Sequence, residues 1–280
     1  MTRINGVETE QIPVSDRGLQ YGDGLFETIA INDGQPCLLD QHLARLQRGC
    51  EQLNLPRPDI KQLAADCIEL SKNTTGKLLK VILTRGTGGR GYRLPDTTDT
   101  RCILSLHNWQ ALPEQNYQQG VTLRYCTIRL ADQPALAGIK HLNRLEQVLA
   151  RSEWHDPAIF EGIMLNQQGE VIECISSNLF MIDQSGVLIT PALDHQGVAG
   201  VMREQVINLA EFLNIQLYIT QITSDDLQRA SEVFISNSLI GILPVCKIET
   251  THYQPGPVTS QLRNILPEMV LSGTNPGTRT

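Results

Sequence analysis

The stretch TRGTGGRGY, residues 84–92, follows an aliphatic run and holds four glycines. Gly86-Thr87-Gly88-Gly89-Arg90-Gly91 satisfies G-x-G-x-x-G, the dinucleotide pattern. That pattern works only when its last glycine opens a helix whose N-terminus holds a pyrophosphate. Here Gly91 runs into YRLPDTTDT, where Pro95 and several turn formers forbid a helix. No acidic residue closes a strand at the usual distance beyond, and no G-K-[ST] follows. A Rossmann domain is therefore not expected. Two readings of the loop remain: a plain strand-to-strand connection, or a mobile element carrying Arg85, Arg90, Tyr92 and Arg101 toward an anion. Cationic forks among glycines suit close approach to carboxylates.

Outward from the loop, KLLKVILTR and RCILSLH read as buried strands. Before them, Leu43, Leu46, Cys50 and Leu53 recur at helical spacing, with Asp40 placed to cap that helix. Ile60, Leu63, Ala64, Cys67 and Leu70 repeat the pattern. ALPEQNYQQG, residues 111–120, is the polar gap between patterned regions. It sets an expected smaller lobe at 1–110, a linker at 111–120 and a larger lobe at 121–280. The second lobe reads as a strand VTLRYCTIRL, a loop ending at Lys140 and a helix NRLEQVLARSEW. Two hairpins follow, turning at NQQGE and DQSG, then a helix opened by Gly200 and the strands IQLYITQI and EVFISN. The spacing predicts a last helix over VTSQLRNILPEMVLSG, interrupted near Pro267. Meanders mixed with helices, without a strict βαβ repeat, give two α/β or α+β lobes.

A chain of 280 residues with 41% hydrophobic and 19% charged residues has room for a substantial core. Its formal net charge of −7 argues against nucleic acid or anionic membrane as partners. Seven cysteines, at 37, 50, 67, 102, 126, 174 and 246, are scattered and never in C-x-x-C spacing. They fit buried thiols in a reducing compartment. The N-terminus has no signal-peptide pattern and no apolar run reaches membrane-spanning length, so a cytoplasmic protein is expected.

H-E-x-x-H, clustered Cys and His, and G-x-S-x-G are all missing, and no metal is expected. Lysine is more informative, because there are only six: Lys61, Lys72, Lys77, Lys80, Lys140 and Lys247. Lys61 and Lys72 belong to a solvated helix face. Lys77, Lys80 and Lys247 lie in or beside strands and can snorkel to an edge. Lys140 stands between PALAGI and a helix in a sparsely charged approach, where desolvation favours the neutral amine needed for a Schiff base.

These residues resemble a known family. AGIKHLNRLEQVLAR is similar to the lysine segment of the fold-type IV pyridoxal-phosphate enzymes, the D-amino acid aminotransferase-like group. It is closest to the bacterial aminodeoxychorismate lyase branch. The likeness extends to SDRGLQYGDGLFETI (15–29), HLARLQ (42–47), TRGTGGRGY, EVIECISSNLF (170–180) and GVAGVMR (197–203).

By that resemblance the cofactor is pyridoxal 5′-phosphate, held by Lys140, which also shuttles protons. Glu173 falls where the family faces the pyridine nitrogen with a carboxylate. The phosphate contacts are implied at Arg45, at the amides of Val201 and Met202, and at Asn237 and Ser238. Related transaminases often carry threonine where Met202 stands, so a hydroxyl is missing there. Branched-chain aminotransferases have Asn-Tyr where this chain has Asn143-Arg144. With the arginines of the glycine loop, this points toward a substrate with two carboxylates. Arg90, Tyr92 and Arg101 are the implied substrate contacts. The implied activity is conversion of 4-amino-4-deoxychorismate to 4-aminobenzoate and pyruvate for folate synthesis, by a homodimer. A D- or branched-chain aminotransferase and a non-catalytic chorismate-type binding protein are the alternatives.

Overall fold

Asn5 and Gly6 both take positive φ, 48° and 80°, and so turn the chain tightly between two short strands. The computed structural model describes residues 1–88 and 91–272, the last six of these by backbone alone. It divides into two units. Met1–Ala111 with Ile139–Arg144 form the first, and Leu112–Gly138 with Leu145–Thr280 form the second.

The first unit contains β1 (Thr2–Ile4), β2 (Val7–Glu8), α1 (Arg17–Tyr21), β3 (Gly24–Asn32), β4 (Gln35–Pro36), α2 (Leu39–Gln52), α3 (Ile60–Ser71), β5 (Lys77–Thr84) and β6 (Arg101–Asn108). Its six strands run in the order β2-β1-β6-β5-β3-β4, every pair antiparallel. Strand alternation sends Leu25, Glu27 and Ile29 to a buried face, together with Leu79, Val81 and Leu83. α2 buries His42, Leu43, Leu46 and Cys50, and α3 buries Leu63, Cys67 and Leu70. Leu38, not Asp40, caps α2; Asp40 lies in the first turn, where its charge suits the helix dipole.

The second unit contains α4 (Glu114–Gln119), β7 (Val121–Leu130), α5 (Leu145–Arg151), β8 (Ile159–Asn166), β9 (Val171–Cys174), β10 (Asn178–Ile182), β11 (Leu188–Pro191), α6 (Val201–Phe212), β12 (Leu217–Thr220), α7 (Ser224–Arg229), β13 (Glu232–Asn237), β14 (Gly241–Ile248), β15 (Thr251–His252) and α8 (Pro257–Ser272). The sheet runs β12-β11-β10-β13-β14-β7-β8-β9, with β15 added on β14. β7 pairs in parallel with both β8 and β14, and β11 with β12; the remaining pairs are antiparallel. Val171 N donates to Ile222 O at 2.8 Å, so β9 meets the chain just beyond β12 and the sheet curls toward a barrel. Leu123, Ile163, Leu179, Ile235 and Leu243 fill its core.

Three expectations change. Residues 111–120 are not an open linker, because α4 forms there and packs on β14. Lys140 goes with the first unit and not with the larger lobe, since its segment bonds to the start of β3. Finally, α8 continues through Pro267, where proline removes one donor without ending the helix.

Candidate active site

Lys140 is held at its carbonyl, and its segment again two residues further on. Phe26 N donates to Lys140 O at 2.9 Å, Leu142 N donates to Gly24 O at 3.0 Å, and Leu25 bridges His141. The segment thus lies against the start of β3 through one isolated bridge and two backbone bonds. The Lys140 ammonium stands 4.4 Å above the centre of the Phe26 ring, a cation–π distance. Next to it, His141 is pushed down to about 4 by burial and by the Arg144 charge, so its ring is neutral. Arg144 ties its own loop by donating to the carbonyls of His141 and Ile139.

On the buried face of the same strand, Glu27 receives Arg45 through Nε at 2.8 Å and Nη2 at 2.5 Å. His42 Nδ1 lies 2.6 Å from Glu27 Oε2. Burial alone would raise the Glu27 carboxyl, but Arg45 and His42 outweigh it and hold it at about 2. Burial lowers His42 despite the pull of Glu27. The group is therefore an ionised carboxylate clamped by a guanidinium, with a neutral imidazole donating from Nδ1. Arg45 is placed by this clamp with great rigidity. Glu27 and His42 carried no readable signal, since a glutamate in a strand and a histidine on a helix are individually ordinary.

The glycine loop joins antiparallel β5 and β6, and no helix follows Gly91, so the dinucleotide reading is excluded. Gly86 has φ +81°, and a Cβ there would fall 1.7 Å from the Asp99 carbonyl oxygen. Its glycine serves the turn. The arginines are largely committed elsewhere. Arg85 pairs with Asp23 at 2.8 Å and donates to the carbonyls of Leu53 and Asn54; Arg17 shares the same carboxylate. Arg101 Nη1 donates to Asp16 Oδ2 at 2.8 Å, and Asp16 is fully buried. Arg101 is thus the counter-ion of a buried carboxylate. Arg90 lies outside the described residues. Tyr92 is 86% exposed, its ring edge-on to Tyr21 at 5.6 Å.

Arg101→Ala leaves the Asp16 charge buried without its cation. It is expected to lower stability by about 3 kcal/mol, read from urea denaturation, with the substrate KM unchanged. A raised KM at parental stability would return Arg101 to the substrate.

In the second unit, Glu173 is on β9 and is 4% exposed. Its Oε2 accepts from Val198 N at 2.9 Å. Val198 is held in turn, because Asn178 Nδ2 donates to its carbonyl at 2.9 Å and Gly138 bridges it, two residues ahead of Lys140 in sequence. Gly200 opens α6 with no side-chain cap, so the amides of Val201 and Met202 keep their first-turn donors. A side chain at 200 would not fit, since its Cβ would lie 2.0 Å from Asn178 Oδ1.

The loop after β13 is organised by Asn237. Its Oδ1 accepts from the amides of Leu239 and Ile240, and its Nδ2 donates to Ser177 Oγ at 3.1 Å. Ser238 follows directly. Beneath lies Glu161, buried and missed by the sequence reading, which accepts from the Ser176 amide and from the Ser176 and Ser177 hydroxyls. Burial raises its carboxyl, opposed by those serine donors. Ser236 Oγ and Arg203 Nε are buried without a partner among the described residues. Helix-end amides, an uncapped first turn and an orphaned hydroxyl suit a phosphate group. Among the described residues no His, Cys, Asp and Glu cluster could hold a metal.

Residues 24–248 match the family model for amino-transferase class IV. The chain is 35% identical over 245 residues to aminodeoxychorismate lyase of Vibrio harveyi, covering 88% of this chain and 90% of that one. It is 28% identical over 271 residues to D-alanine aminotransferase of Bacillus licheniformis, covering 94% and 93%. The crystal structure of 4-amino-4-deoxychorismate lyase from Pseudomonas aeruginosa matches with a TM-score of 0.90 and 43% identity, over 96% of this chain and 98% of that one. The fold-type IV architecture expected from the motifs is therefore the one found. With most of its length inside the family model and these relatives spanning nearly all of it, the chain belongs to the class IV amino-transferase family.

Proposed function

We propose that this chain is a pyridoxal-phosphate-dependent lyase that converts 4-amino-4-deoxychorismate to 4-aminobenzoate and pyruvate. The observation that carries the reading is Lys140: an amine held 4.4 Å over the Phe26 ring by a residue whose carbonyl accepts from Phe26 of β3, in a chain 35% and 43% identical to two lyases over most of its length. When bound, the cofactor supplies an electron sink for charge developing next to the substrate amine.

The side chains then have separate tasks. Lys140 takes the proton at the amine-bearing carbon and returns one to the departing enolpyruvyl group, so the ring aromatises and pyruvate forms. Glu173 keeps a proton on the pyridine nitrogen. Arg45, the amides of Val201 and Met202, Asn237 and Ser238 hold the phosphate, and Glu161 fixes the serines beneath that loop. Arg90 and Tyr92 are kept as loop contacts to substrate.

The enzyme acts as a homodimer in the cytoplasm in this reading. All seven cysteines are free, in keeping with a reducing compartment. Among the described residues no helix is long and apolar enough to cross a membrane.

The test is a paired assay on the purified chain: aminodeoxychorismate alone, against D-alanine or a branched-chain amino acid with 2-oxoglutarate. Release of 4-aminobenzoate with little amino transfer is expected. Efficient transamination without 4-aminobenzoate would make this an aminotransferase, and no turnover with either would leave a binding protein.

A further inference from the structure

We propose that Lys80 is the residue that recognises the ring carboxylate of the substrate, an inference that rests on the lyase reading. In β3 and β5, Phe26 pairs with Ile82 and Thr28 with Lys80, and Lys80 pairs on its other side with Ser105 of β6. Directly paired residues of antiparallel strands share a face. Phe26, Thr28, Lys80 and Ser105 therefore lie on one side of the first unit's sheet, opposite the buried Glu27 side.

Lys140 stands on that same side. The Phe26 ring carries Lys140 Nζ at 4.4 Å and Lys80 Nζ at 5.7 Å from one centroid, with Arg144 Cζ at 5.9 Å. The two ammonium nitrogens are thus no further apart than those two distances end to end. The substrate is rigid and carries its amine and its ring carboxylate on opposite carbons of one six-membered ring. With the amine delivered to Lys140, the carboxylate on the opposite ring carbon lies on the side of the sheet that carries Lys80, inside that upper limit.

Four arginines of this unit have their charges answered by carboxylates. Arg17 and Arg85 share Asp23, Arg101 holds Asp16, and Arg45 is clamped by Glu27. Arg144 spends donors on its own loop carbonyls. Lys80, half-buried beside an aromatic ring, takes part in no ion pair among the described residues. An ammonium held on an apolar floor without a carboxylate is a feature that an anionic ligand completes. A point charge on a flexible stem suits a carboxylate that arrives and leaves with each turnover.

The experiment uses Lys80→Met, which keeps length and removes charge, with Lys80→Arg as the conservative companion. KM for aminodeoxychorismate is expected to rise roughly tenfold to a hundredfold in Lys80→Met. The change in kcat should stay within a few fold, and Lys80→Arg should recover most of the loss. In calorimetry, 4-aminobenzoate should bind Lys80→Met more weakly than the parent by the same factor, while aniline, which lacks the carboxylate, binds both alike. An unchanged KM overturns the assignment. Equal losses for 4-aminobenzoate and aniline also overturn it, because the side chain would then only support the sheet. If Lys80→Met does not fold, Lys80→Gln carries the same expectations. A parent chain that does not cleave aminodeoxychorismate sinks the lyase reading and this inference together; a parent that does, with a silent Lys80, sinks this one alone.

Discussion

Replacing Lys140 by alanine is expected to lower kcat/KM by roughly 10³- to 10⁴-fold, the upper range for loss of a positioned acid–base group. In the proposed function the effect is large because one amine both holds the cofactor and moves the proton, so no neighbour takes over half of the task. His141 is not a substitute: burial and Arg144 keep its ring neutral down to about pH 4, and it offers no second amine. The backbone pairing of residue 140 with Phe26 does not depend on the side chain, so the fold should survive. Borohydride reduction of the parent, followed by peptide mapping, should place a pyridoxyl group on Lys140 and nowhere else. A label on Lys80 or Lys247 would transfer the role. Partial recovery of Lys140→Ala by an added small amine would separate lost chemistry from lost structure.

Glu173→Gln is expected to keep the cofactor while turnover falls roughly 10²- to 10³-fold, the scale for removing one oriented electrostatic partner. The amide retains an oxygen for the Val198 N–H, so the local hydrogen bond at 2.9 Å persists. What it lacks is the negative charge that holds a proton on the pyridine nitrogen. Cofactor absorbance and kcat measured on one preparation check this. Parental turnover would remove Glu173 from the ring, whereas loss of the cofactor would make it a binding residue first.

The strands and hairpins of this fold were legible because their turns are chemical. NQQGE and DQSG lie where β8 meets β9 and β10 meets β11, and KLLKVILT and RCILSLHN are β5 and β6. The Asn5-Gly6 hairpin carried the same signal and was passed over, in a segment read only for targeting. Lys140, Glu173 and the opening of α6 were reached through motif resemblance; periodicity alone would have left Glu173 a strand glutamate.

The ion pairs of the arginines were not legible for a plain reason. Arg85 meets Asp23 across 62 positions and Arg101 meets Asp16 across 85. No local pattern reveals a partner at that separation, so the carboxylate that meets such a cation is invisible in the sequence. The same holds for Lys80. Its sequence context reads as that of an edge lysine, and only the register of β5 between β3 and β6 puts it on the face of Phe26.

The bond from Val171 to Ile222 has a consequence for how the chain reaches its native state. It joins the two ends of a long strand path, so it rewards the chain only after the pairings between them have formed. Closures between remote segments are slow, because loop entropy must be met before the contact contributes. Glu173 lies two residues from Val171 on β9. The register of Glu173 itself is set locally, by the β8–β9 hairpin in which Met164 pairs with Glu173, so the remote bond adds a neighbour to a strand that is already placed.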